Sequence, residues 1–318
     1  MAAPYNAKCD GTTDDHVAIQ AALNTSASVV IPANVNCSIG TVGLILNTGQ
    51  IFNGNSSQLT YLGTGVALGT NSNTADPMYG AGSITIENLN INLEGLAAGA
   101  TGIGLFDSYT DSITNVEVFQ WNTCCGYFPS TSVGIYGVLY GTNGVILNNV
   151  VGGDKIVLQG TTTGQNTNIV FNTVFVFSSG TDGIDVSYSD NTVMTGVVVD
   201  GSTCALCLQN MTGLTILGAS ILPFNGSTTS VGIQIGSSVY ELTAVLDTAA
   251  FTGIPVTGTS QGGLIMFGDQ ASVNNLQITG LLTGPATAPS GPCSVIGWVH
   301  SQDGHLSYCN GTTWSIKL

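Results

Sequence analysis

Charge is scarce in this chain. Its 318 residues include 18 Asp and Glu but only three basic side chains, all lysine: Lys8, Lys155 and Lys317. There is no arginine. Charged residues make up 7%, against about 25% in an ordinary soluble domain. Each shortage removes a class of function. Nucleic-acid binding needs many Lys and Arg to displace phosphate counterions. Without Arg, no bidentate clamp on phosphate or carboxylate can form. A long charged helix or coiled coil would need Glu, Lys and Arg in numbers. Apolar runs are short as well: none approaches the ~18 residues of a membrane span, so no membrane insertion is expected. The opening Met1–Lys8 lacks a basic stretch followed by an apolar one and does not read as a signal peptide.

Apolar residues are nevertheless 43% of the chain, which argues against disorder. A chain of this length can bury a sizeable core. Glycine is abundant, at 43 residues. Short β-branched runs end in Asn or Gly at a recurring position: Asn88, Asn115, Asn148, Asn172, Gly196 and Gly218, with weaker members at Asp247 and Gly280. A second apolar run follows most of them at once, as in Val116-Glu-Val118 and Val174-Phe-Val176. A third closes most repeats: Gly102–Leu105, Val133–Ile135, Lys155–Leu158, Gly183–Val186, Ala205–Leu208, Val231–Ile235 and Leu264–Phe267.

Three short strands per repeat describe one coil of a parallel β-helix, each strand pairing with its equivalent ~4.8 Å along the axis. Asn at one corner of successive coils can then bond amide to amide. A β-sandwich is the alternative; it would show more even spacing and hairpin turns. Asn-Gly dipeptides at Asn53, Asn143, Asn225 and Asn310 are compatible with it.

A helix is expected over Thr13–Leu23, with Asp14 and Asp15 capping its start and Ile19, Ala22 and Leu23 on one apolar side. Such a helix could cover the open end of a β-helix, whose strand edges otherwise template aggregation. Residues 1–82 read as this cap and the first irregular coils, 83–283 as the repeats, and 284–318 as a Pro/Gly linker and a small β-meander. A meander this short needs Cys293–Cys309 as a staple, docking on the repeats, or partner chains. The other cysteines are Cys9, Cys37, Cys124, Cys125, Cys204 and Cys207. Eight in all is an even count, but too sparse for a disulfide scaffold.

Lys8-Cys-Asp-Gly-Thr-Thr-Asp-Asp-His-Val-Ala-Ile-Gln-Ala-Ala-Leu23 resembles the opening of the pectate-lyase-like β-helix proteins of phage tailspikes and appendages. Asp10, Gly11, Thr13, Asp14, Asp15, Ala18, Ile19, Gln20 and Ala22 carry the match. The tail, Gly304–Trp314, is similar to the β-meanders that end phage fibres and often knit a trimer. The resemblance implies an all-β, right-handed, single-stranded parallel β-helix with an N-terminal capping helix and a C-terminal β-meander. It implies a homotrimer on a virion surface, assembled in host cytoplasm and acting outside, attached to a capsid or tail protein.

Two chemistries of that family lack their residues here. The lyase reaction uses an Arg or Lys base, and Lys155 is the only lysine within the repeats. The polygalacturonase site needs a histidine, and none lies between His16 and His300. Generic glycoside hydrolysis needs only two carboxyl groups. The best pair is Asp182 and Asp185 in Thr181-Asp-Gly-Ile-Asp185. In the plainer reading Asp182 caps a turn, as Asp before Gly commonly does. Cys204-Ala-Leu-Cys207 is a lone CxxC; zinc would need a second pair, and Cys124-Cys125 is the only nearby candidate. Residues i and i+3 of a strand point to opposite faces, so these two read as buried single thiols. No metal and no cofactor are expected. Tyr109, Trp121, Tyr127, Tyr136 and Tyr140 cluster in one long insertion, 106–141, and could stack on sugars. The plainer reading there is packing against a neighbouring chain. His300 and His305 read as surface or interface residues. The leading function is a non-enzymatic spike, fibre or capsid-decorating protein that meets host-surface polysaccharide. The alternative is an endoglycosidase that depolymerises that polysaccharide.

Overall fold

Inward-facing side chains build the molecule. The computed structural model describes residues 5–70, 82–94, 99–108, 110–119, 133–139, 144–153, 155–160, 166–177, 182–200, 203–222, 231–247, 254–258, 260–267, 297–300, 306–309 and 312–316. The chain divides into two compact units, Met1–Gln277 and Ile278–Leu318. In the first, every strand pairing among the described residues is parallel and joins segments one coil apart, so the fold is a parallel β-helix. This agrees with the repeats and with the family likeness of residues 8–23 at the level of fold.

Alternation within each strand explains the core. On one face Val29, Phe52, Ile86, Ile113, Leu147, Phe171, Met194, Ile216 and Ala244 stand in register and are all buried. On another, Leu68, Ile103, Ile135, Ile156, Ile184, Leu206 and Ile233 form an equally buried column. Residues 28–70 already follow this register, through Val29 opposite Phe52 and Leu68 opposite Ile103.

One corner needs left-handed backbone, and its register fixes which residues stand there. Asn88, Asn115, Asn149, Thr173, Gly196 and Gly218 all have positive φ. Asn115 donates to Asn88 Oδ1 at 3.0 Å, and Asn149 donates to Asn115 Oδ1 at 2.9 Å. An amide ladder is therefore present over Asn88, Asn115 and Asn149, and the corner itself falls one residue later than Asn148 and Asn172. Those two precede the corner and bond each other at 2.9 Å.

Two further expectations are corrected. Leu264–Phe267 is not a third run of its coil. Strand Ser260–Phe267 pairs with Val239–Asp247, and Ile254–Thr257 takes the third-run place opposite Val231–Ile235. The helix spans His16–Leu23, because Asp10–Asp14 is instead a strand paired with Asn36–Ser38. Ile19, Ala22 and Leu23 are its buried side. Asp14 Oδ1 accepts the His16 N–H at 2.9 Å. Asp15 does not cap the helix; its carboxylate turns back to accept the N–H groups of Lys8 (2.7 Å) and Cys9 (2.8 Å). A disulfide joins Cys9 and Cys37, whose Cα atoms are 3.8 Å apart.

The second unit contains three antiparallel strands, Gly297–His300, Leu306–Cys309 and Trp314–Ile316, paired in chain order. Among the described residues, no helix is long and apolar enough to cross a membrane.

Candidate functional site

The column Ile135–Ile156–Ile184–Leu206–Ile233 points inward, so the residue after each member points outward. Those residues are Tyr136, Val157, Asp185, Cys207 and Gln234, in register on successive coils. Tyr136 and Asp185 are thus two coil steps apart, roughly 10 Å. Both are half-buried, and Val157 between them is buried. Phe106 packs against Tyr136 with ring centroids 5.9 Å apart.

Asp182 sits where the chain enters this strand. Lys155, one coil before, donates from Nζ to Asp182 Oδ2 at 3.5 Å. The pair is partly exposed, so it fixes geometry more than it adds stability. Asp185 behaves differently. Burial pushes its carboxyl above the ordinary Asp value; Lys155 opposes this and Asp182 reinforces it.

The next coil repeats the spacing with sulfur. Ile184 is opposite Leu206 and Asp185 opposite Cys207, which sets Cys204 beside Asp182. A straight strand would hold residues i and i+3 about 10 Å apart. The Cα atoms of Cys204 and Cys207 are 5.9 Å apart and their sulfurs are disulfide-bonded. The reading of two non-converging single thiols is therefore wrong: the chain bends as it enters the coil face. The donor atoms of Asp182, Cys204 and Cys207 lie within 4.8 Å of one another.

The structure therefore brings Asp182, Asp185 and Tyr136 onto one face. Tyr109, Trp121, Tyr127 and Tyr140 lie outside the described residues, as does Cys293. Cys309 ends the strand Leu306–Cys309, opposite Gly297 and Trp314. Sequence reasoning missed Phe106, the Lys155–Asp182 contact and the alignment of the two pairs. One signal was available for the last: Thr203-Cys-Ala-Leu-Cys207 overlays Thr181-Asp-Gly-Ile-Asp185 at one coil step.

No protein-family model matches the chain, and no curated protein sequence matches it. Similar solved structures exist. The A-module of mannuronan C-5 epimerase AlgE6 from Azotobacter vinelandii is 16% identical, over 87% of this chain and 97% of that one, with a TM-score of 0.39. A tailspike protein mutant of E. coli bacteriophage HK620 is 12% identical, over 80% of this chain and 61% of that one, with a TM-score of 0.43. The Streptococcus pneumoniae surface protein and adhesin PfbA is 11% identical, over 83% and 96%, with a TM-score of 0.37.

Proposed function

We propose that the chain is a virion-surface protein whose β-helix presents the outward column around Tyr136 and Asp185 to a host-surface polysaccharide. The observation that carries this is one rigid, partly exposed face. It combines an aromatic pair, Phe106 and Tyr136, with the polar groups Lys155, Asp182, Asp185 and Gln234. Sugars are recognised by this combination: an aromatic ring covers the apolar face of the pyranose, and fixed polar groups read its hydroxyls. A parallel stack holds such groups at fixed spacing without a ligand, so little ordering entropy is lost on binding. The net charge of −15 disfavours polyuronates, so the glycan class is neutral or amino-sugar-rich.

In this reading the helix His16–Leu23 caps a right-handed coil, and the three C-terminal strands form the meander that helps knit a homotrimer. A capsid or tail protein of the particle anchors it. The support for these points is the likeness of residues 8–23 and 304–314 to phage appendage proteins.

A second reading, hydrolysis of the same polysaccharide, is favoured by one observation. Asp185 holds its proton more tightly than an ordinary carboxyl, as a general acid must, while Asp182 lies nearby against Lys155. Incubation with polysaccharide and assay of new reducing ends separates the two. Simple binding gives none. Turnover that is lost in Asp185→Asn would replace binding by hydrolysis.

A further inference from the structure

Asp182–Asp185 and Cys204–Cys207 occupy the same places on adjacent coils, so two carboxylates stand over two sulfurs. We propose that, in its reduced form, the Cys204–Cys207 pair together with Asp182 is a binding site for one divalent cation of the zinc class. This does not depend on whether the face binds glycan.

Geometry comes first. Two thiolates on a tetrahedral zinc, at about 2.3 Å each, lie about 3.8 Å apart, with a carboxylate oxygen at a similar separation. The donor atoms of Asp182, Cys204 and Cys207 already lie within 4.8 Å of one another. Cys204 is buried, Cys207 and Asp182 half-buried, so the site is sheltered yet reachable from solvent.

Charge points the same way. Two thiolates, Asp182 and the neighbouring Asp185 bring four acidic groups onto a partly dry surface. Lys155, 3.5 Å from Asp182, supplies one positive charge, so a divalent cation offsets most of the negative charge that remains. Donor type selects the metal: two sulfurs and one oxygen suit zinc and its borderline-soft neighbours, not calcium or magnesium.

The other group of this composition, Cys9, Asp15 and Cys37, does not qualify. It is fully buried, and the Asp15 oxygens already accept the N–H groups of Lys8 and Cys9.

The chemistry balances. A dithiol reductant gives up two electrons and two protons and becomes a disulfide, while the Cys204–Cys207 bond becomes two thiols. Those thiols lose two protons as the cation coordinates. Reoxidation by a small-molecule disulfide, which takes up the two electrons and becomes a dithiol, would expel the metal.

The full chain, reduced with a dithiol and desalted under argon, is given either one equivalent of Zn²⁺ or a chelator. It is then pulse-alkylated with iodoacetamide and mapped by peptide mass. The expected result is that zinc slows alkylation of Cys204 and Cys207 by at least about tenfold, since a coordinated thiolate is a poor nucleophile. Equal rates at these two cysteines with zinc and with chelator overturn the proposal. Titration with Co²⁺ provides a second measurement, read through thiolate-to-cobalt absorption. Asp182→Asn should weaken binding by about tenfold or more; unchanged affinity would remove Asp182 from the site and overturn the three-ligand assignment.

Discussion

At Asp185 a single carboxyl reports how the coils treat charge. Burial raises its pKa above the ordinary Asp value of 3.8. A raised carboxyl pKa means that the folded state binds the proton more tightly than the unfolded chain. The cost of burying this group therefore builds up as pH rises above the ordinary value, is complete above the folded pKa, and vanishes below the ordinary value. Asp185→Asn should accordingly melt at a higher temperature than the wild type at neutral pH. The difference should shrink as pH falls and vanish below about pH 3.5, under the unperturbed Asp range. A constant difference across this range would mean that ionisation of Asp185 is not what burial opposes. Sequence could pick out Asp182 and Asp185 as a carboxylate pair but not their difference, which comes from Lys155 one coil away and from neighbours that only the register supplies. Cys204 and Cys207 depart from the sequence expectation for a related reason. A strand taken as straight sends them apart, whereas this one bends where it enters the coil face.

Corners and staples belong to the element scale. The three-run repeat was legible because each inward column is written in Ile, Val, Leu and Phe at period two, with Asn or Gly at the bend. Its corner was misplaced by one residue at Asn148-Asn149 and Asn172-Thr173. Adjacent polar residues look alike in sequence, and only backbone register shows which of them carries positive φ. Thr173 is the β-branched member of an otherwise Asn/Gly corner, with φ 54°. That conformation costs an L-residue with a β-carbon roughly 1–2 kcal/mol. Thr173→Asn is therefore expected to stabilise the protein by about 1 kcal/mol, read as a higher urea midpoint at unchanged slope. The Cys9–Cys37 bond ties the strand before the helix to the next strand but one, across a sequence separation of 28. Its pairing was not legible, because the pseudo-repeat becomes recognisable only after residue 83. Cys9→Ser with Cys37→Ser should cost about 3 kcal/mol, and unfolding of the two forms in the absence of reductant measures it.

For the whole molecule, the missing charge is a consequence of the architecture. Stacked coils satisfy backbone groups along the axis and cover their corners with Asn amides, so solubility rests on Gly, Ser, Thr and Asn more than on ion pairs. A single ion pair, Lys155–Asp182, is seen among the described residues, and it lies at the candidate site. Eighteen acids against three bases then set what such a surface can attract, with the field screened over about 8 Å at physiological salt. The ligand proposed for the outward column at Tyr136 and Asp185 is a neutral or amino-sugar polysaccharide. The most direct test is equilibrium binding of wild type and Tyr136→Ala to a panel of bacterial surface polysaccharides at about 0.15 M salt. Binding to a neutral or amino-sugar polymer is expected, weakened roughly tenfold by loss of the ring, with no binding to polyuronates. Binding that is unchanged in Tyr136→Ala, or confined to polyuronates, would rule out this column as the glycan site.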